Sequence, residues 1–323
     1  MSETTLPPPP NGLQLATDKA DPRLIEAADR TARHWHYPVE GPLEIGSEAH
    51  KKATCAMFRD TFNPYKPSII EWPRLDPAAQ ERLTNLPIWD IAVQTEGHAR
   101  LRMLSYARRH PDPDWRAAIE QNGWEEGRHK VVLSDLVRSY GITLEPEPEY
   151  REPRDVEWAY LATGFSECVD SFFAFGLFDL ARRSGFFPQE LVDTFEPVIQ
   201  EEARHILLFA NWLAWHRRNL PLHQRIWFEL RVIAVWISIG WQRIGLARGM
   251  DKGPKQAKGA DKQDVNFTVT GANSMADHQV SLREMLEICL AENDRRFAGY
   301  DPRLLRPTTM PALARFALRF LRR

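Results

Sequence analysis

An all-α fold is predicted by three features of this chain. Apolar residues recur at helical spacing through its middle, β-branched alternation is scarce, and caps and stops bracket long segments. The first 20 residues are polar and carry Pro7, Pro8, Pro9 and Pro10, a run that cannot be helical and is expected to be a disordered arm. Residues 21–85 read as a helical extension. It has a short helix over 22–37, a second over 47–60 opened by Ser47, and a loop with Pro64, Pro67 and Pro73. Asp76-Pro77 then reads as an N-cap with proline in the first helical position.

Four long helices are predicted next, over about 87–110, 113–140, 155–184 and 188–219, with Gly141 and Gly185 stopping the second and third. Pro197 is a kink or restart point inside the fourth. Short breaks within each pair favour antiparallel neighbours, and the longer 141–154 connection crosses between pairs, so 86–219 is expected to be one four-helix bundle. A fifth helix, apolar on most sides, covers 220–249. Residues 250–280 form a polar linker, and 281–323 carry C-terminal helices, the last with Arg315, Arg319, Arg322 and Arg323 and no acid.

The bulk properties narrow the function classes. A formal net charge of -2 over 323 residues gives no global argument for nucleic acid. Cys55, Cys168 and Cys289 form no CxxC pair, so neither a disulfide framework nor a zinc ribbon is expected, and a reducing cytoplasm fits. The N-terminus shows no basic stretch followed by an apolar run, and no 18 uncharged apolar residues occur in a row. The nearest such run, 226–247, is interrupted by Glu229, Arg231 and Arg243. A cytoplasmic protein is expected. The aromatic 226–241 segment and the basic 311–323 tail leave peripheral membrane contact open, against a fifth packing helix and a subunit contact, as in a homodimer.

Two near-identical words carry the chemistry. Glu125-Glu126-Gly127-Arg128-His129 lies in the second long helix and Glu201-Glu202-Ala203-Arg204-His205 in the fourth. Glu126 and His129, like Glu202 and His205, are three apart and so share one helix face, where a carboxylate oxygen and an imidazole nitrogen can reach one ion. The first and third helices each offer one glutamate on a largely apolar stripe, Glu96 and Glu167. A single E-x-x-H is usually a solvated pair. Two copies with the same flanks, plus two partner acids in order, leave too many buried polar groups without purpose unless they bind metal. Oxygen donors with a few imidazoles suit iron, manganese or cobalt, and four carboxylates balance two divalent cations.

The order Glu96, Glu126/His129, Glu167, Glu202/His205 resembles the ligand set of the ferritin-like di-iron carboxylate superfamily, and the resemblance covers about residues 86–219. The [DE]-E-x-R-H words are similar to those of bacterial multicomponent monooxygenases, acyl-carrier-protein desaturases and ribonucleotide reductase small subunits. The resemblance implies a ferritin-like bundle with two iron ions, or a Mn/Fe or Mn/Mn pair. It also implies that Glu125 and Glu201 accept the proton of each histidine's non-ligating nitrogen, with Arg128 and Arg204 paired to those acids. Glu stands at 125 and 201 where the pattern more often has Asp. Asp170, three residues after Glu167, is either a further acid orienting the site or a polar residue at the end of the stripe.

The implied function is an oxidase or oxygenase that activates O₂ and oxidises a small, apolar or aromatic substrate, with electrons from a separate donor. Phe165, Phe172, Phe173, Phe175 and Phe178 offer either pocket walls or plain core. The alternatives are a ferroxidase or iron-storage subunit, and a non-catalytic metal-binding protein.

Overall fold

In a computed structural model, residues 6–21, 23–86, 88–250 and 280–321 are described, with side chains placed to residue 242 in the first three stretches. They form ten α-helices and one 3-10 turn, without strands. The extension contains α1 (Arg23–His34), α2 (Glu48–Asp60) and α3 (Pro77–Thr84). Four long helices follow: α4 (Trp89–Ala107), α5 (Pro113–Ser139), α6 (Val156–Arg183) and α7 (Gln189–Asn219). The rest is α8 (Leu222–Met250), α9 (Leu282–Phe297) and α10 (Thr309–Leu318).

The ends of the long helices follow local chemistry. Asp112 caps α5 by accepting from the Asp114 and Trp115 amides, and Asp155 caps α6 through Trp158. Gly141 takes φ +71° after α5, where Gly141 donates to the Arg138 carbonyl and Ile142 to the Val137 carbonyl, the paired bonds of a left-handed C-terminal stop. Pro197 does not interrupt α7, which runs unbroken from Gln189 to Asn219. The carbonyl that loses a donor there belongs to Asp193, an exposed residue that water can serve.

Helices α4 and α5 lie close because glycines face the partner. A Cβ at Gly123 would sit 3.0 Å from Met103 and Leu104, and one at Gly127 would sit 2.9 Å from the Arg100 side chain. Helix α2 packs on α5 and α7, while α8, α9 and α10 pack on α6. Tyr106, Tyr160 and Trp212 fill the bundle near one end, the two tyrosine rings stacked at 4.3 Å. Helix α8 buries Phe228, Val232, Val235 and Ile239 against this core. Its opposite face exposes Ile226, Trp227, Leu230, Ile233, Ile237 and Trp241. Among the described residues only α6 is long and apolar enough to cross a membrane, and 56 % of its apolar window is buried inside the protein.

The arm expected to be disordered is laid on the bundle over residues 6–21. Prolines keep it extended, and its polar groups find partners there. The Trp124 indole donates to the Pro7 carbonyl (2.7 Å), Asn11 donates to the Ala117 carbonyl (3.1 Å), and the Ala16 amide donates to the Pro64 carbonyl (2.8 Å). The expected start at Pro87, most of the 250–280 linker and the last two arginines of the tail lie outside the described residues.

A glycine contact that meets backbone as well as side chain on the neighbouring helix gives a stability prediction. A Cβ at Gly176 of α6 would meet Cys289 of α9 at Sγ (2.5 Å), Cα (3.1 Å) and N (3.2 Å). Gly176→Ala should therefore destabilise the protein by about 1–3 kcal/mol. Gly240→Ala, whose Cβ meets nothing within 4 Å, should be neutral or stabilising by up to about 1 kcal/mol. Urea unfolding of the two variants checks the contrast in sign.

Candidate metal centre

Helices α5 and α7 bring the two repeated words face to face. The His129 and His205 rings stack with centroids 5.2 Å apart. One ligand atom from each of Glu126, His129, Glu202 and His205 lies within 4.8 Å of the other three. This is a buried group of acids and imidazoles that can hold a metal ion. Glu126, His129 and His205 are buried, whereas the Glu202 side chain remains 19 % exposed.

Each histidine is held from behind by the opposite helix. His129 Nε2 lies 2.8 Å from Glu201 Oε2, and His205 Nε2 lies 2.9 Å from Glu125 Oε2. A carboxylate on Nε2 makes that nitrogen the donor and leaves Nδ1 to face inward. The arginines cross in the same way. Arg128 Nη2 donates to both oxygens of Glu201 at 3.1 Å, and Arg204 Nη1 donates to Glu125 Oε2 at 3.1 Å.

One short stretch, residues 58–65, fixes both guanidinium groups. Arg204 donates to the Phe58 carbonyl (2.8 Å) and Thr61 Oγ1 (3.0 Å), and Arg128 donates to the Asn63 carbonyl. The Arg128 guanidinium also lies 4.1 Å above the Tyr65 ring. Gln121 and Asn122, one turn before the acids on α5, donate to Glu125 and Glu126 at 3.0 Å each. These two amides and the 58–65 carbonyls were not singled out in the sequence. The i,i+4 spacing of Gln121–Glu125 and Asn122–Glu126 was the available signal.

Glu96 and Glu167 approach from α4 and α6. Glu96 comes within side-chain hydrogen-bond reach of Glu126, and Glu167 lies in the field of Glu126, Glu202 and both histidines. Burial, then the neighbouring Glu126 and Glu202 carboxylates, push Glu96 and Glu167 well above the usual carboxylate range. Burial also opposes charge on His129 and His205, but the surrounding carboxylates outweigh it and raise both well above the ordinary imidazole value. Against the same burial, Arg204 and His205 hold Glu125 low, and Arg128 and His129 hold Glu201 low.

Two features fit a metal better than a self-contained hydrogen-bond network. Both oxygens of Glu167 are buried without a hydrogen-bond partner. His129 Nδ1 and His205 Nδ1 lie 2.9 and 2.8 Å from Glu202 and Glu126 oxygens, yet neither contact has hydrogen-bond alignment. Lone pairs directed at a common ion rather than at each other have this geometry.

Asp170, one turn further along α6 than Glu167, is exposed, as a polar residue at the end of the stripe would be. The space at Gly127 is taken by the Arg100 side chain and by Leu6 of the arm.

Binding of a divalent ion should release protons and strengthen as pH rises. The two imidazoles, Glu96 and Glu167 all have raised values, so they hold protons to higher pH than usual, and an ion needs their deprotonated forms. Each proton displaced adds about tenfold in affinity per pH unit. Titration calorimetry in buffers of different ionisation heat measures this, and metal binding with no proton release between pH 6 and 8 would contradict it. Comparison of the chain with known protein families, with characterised proteins and with solved structures gives no match.

Proposed function

We propose that this protein is a ferritin-like di-iron oxidase or oxygenase that uses O₂ to oxidise a small organic substrate. The observation that carries the reading is the convergence of inward-facing Nδ1 atoms, the Glu126 and Glu202 carboxylates and the partnerless Glu167 oxygens. Glu126, His129, Glu202 and His205 would hold the ions, with Glu96 and Glu167 completing the set from the flanking helices. A Mn/Fe or Mn/Mn pair would use the same donors. When bound, such a centre supplies the electrons that reduce O₂, replenished by a separate donor.

The protein's own contribution is charge and orientation. Glu125 and Glu201 take the Nε2 protons and fix the rings, while Arg128 and Arg204 keep those two acids ionised and in place. Glu126, His129 and His205 are buried, and so are both carboxylate oxygens of Glu167, whereas the Glu202 side chain is 19 % exposed. Access at Glu202 favours a reactive centre over a purely structural ion. The helices packed around the bundle favour a substrate enzyme over a bare iron-storage subunit. Peripheral membrane contact belongs to the same proposal, supported by the outward apolar stripe of α8.

Elemental analysis of the purified protein should find about two metal ions per chain. Glu126→Ala and His205→Ala should each lose metal and any O₂ consumption, and unchanged metal content in both variants would remove the reading. Trp227→Glu with Trp241→Glu should reduce co-sedimentation with anionic liposomes. Undiminished pelleting would sink the membrane part alone.

A further inference from the structure

A second site lies beside the metal centre rather than in it. A cavity of about 220 Å³, open at a mouth, is lined by α6, α7, α8, α9 and the 305–311 segment. Its walls are Phe165, Phe172, Phe175, Phe209, Leu213 and Trp236, and they include none of the six acids and histidines assigned to metal. Cys168 and Ile206 also line it, and they directly follow Glu167 and His205 in the chain. Of the five phenylalanines on α6, only Phe165, Phe172 and Phe175 reach it. For scale, an engineered cavity of about 150 Å³ accommodates benzene. This cavity therefore suits one aromatic ring with a short arm.

Two polar groups interrupt the apolar wall. Asn293 is only 8 % exposed, yet its side chain has no hydrogen-bond partner among the described residues. Arg306 is half-buried and donates to the carbonyls of Tyr300 (2.7 Å), Asp301 (3.1 Å) and Leu304 (3.1 Å). Three of its five N–H groups are used in this way, all on backbone. Among the described residues no carboxylate pairs with Arg306. The Asp301 carboxylate is taken by Arg303 at 2.6 Å, and Asp294, at the same mouth, lies 3.7 Å from Arg315. Arg217, also in the wall, is neutralised by Glu229 at 2.9 Å. Among the described residues, a guanidinium with no acid and an amide with no hydrogen-bond partner thus line the same end of an aromatic cavity. The uncapped first turn of α10 stands at the same end, with Thr308 and Thr309 in the wall.

We propose that this cavity binds an apolar organic monocarboxylate, its ring or short chain among the phenylalanines and its carboxylate on Arg306 and Asn293. An Arg fork and an amide are suited to a carboxylate, and the aromatic walls to its body. The site stands on its own lining and does not depend on which metal, if any, the neighbouring acids hold.

The test uses the full-length protein as purified, with 3-phenylpropanoate as probe and 3-phenylpropan-1-ol as its uncharged counterpart, both followed by titration calorimetry. The acid should bind with a Kd at or below about 1 mM and at least about tenfold more tightly than the alcohol. Arg306→Gln should erase that preference and leave alcohol binding in place. Ala210→Phe, which fills the cavity, should abolish binding of both. Equal affinities of acid and alcohol for the unaltered protein would overturn the proposal without recourse to any variant. So would acid binding that survives Ala210→Phe, which would place the carboxylate elsewhere, the metal centre included.

Discussion

Six carboxylates gathered around two imidazoles must be neutral as a group, and the rest of the bundle is arranged around that requirement. Two guanidinium groups, Arg128 and Arg204, remove two of the six negative charges and leave four. Two divalent cations would cancel these with both imidazoles neutral. Four protons would do the same without metal, two on the histidines and two on Glu96 and Glu167, the groups whose affinity for protons is raised. Protons and ions are thus interchangeable occupants of one electrostatic vacancy. Glu125 and Glu201 stay outside this exchange because an arginine and an imidazole fix each of them.

The pairing is reciprocal. Glu125 on α5 serves the histidine of α7, and Glu201 on α7 serves the histidine of α5. Neither helix can orient its own imidazole, so the rotation and register of one helix are tied to those of the other. Stacking of the two rings follows from this exchange.

Much of this was legible in the sequence because it is written in local spacing. The three-residue step from acid to histidine, the helix stops at Gly141 and Gly185 and the cap at Asp76 all follow from helix geometry within a few residues. The same spacing rule left Asp170 open between an orienting acid and a polar residue at the end of the stripe, because it says nothing about where a helix surface passes from core to solvent. The clamp on the arginines was not legible for a different reason. Its acceptors are the carbonyls of Phe58 and Asn63, which every residue possesses, so no side-chain identity marks them. The arm was misjudged because its composition excludes helix and says nothing of docking in extended form. Its partners are again a carbonyl and an indole N–H far away in the chain.

Residues 58–65 hold Arg128 and Arg204 at once, and they belong to the segment that precedes the four long helices. Excising the four helices as a minimal scaffold would strip acceptors from two buried cations while leaving their charges inside. The smallest autonomous unit of this molecule is therefore larger than its most recognisable part, and any attempt to miniaturise or transplant the centre must carry that preceding clasp with it.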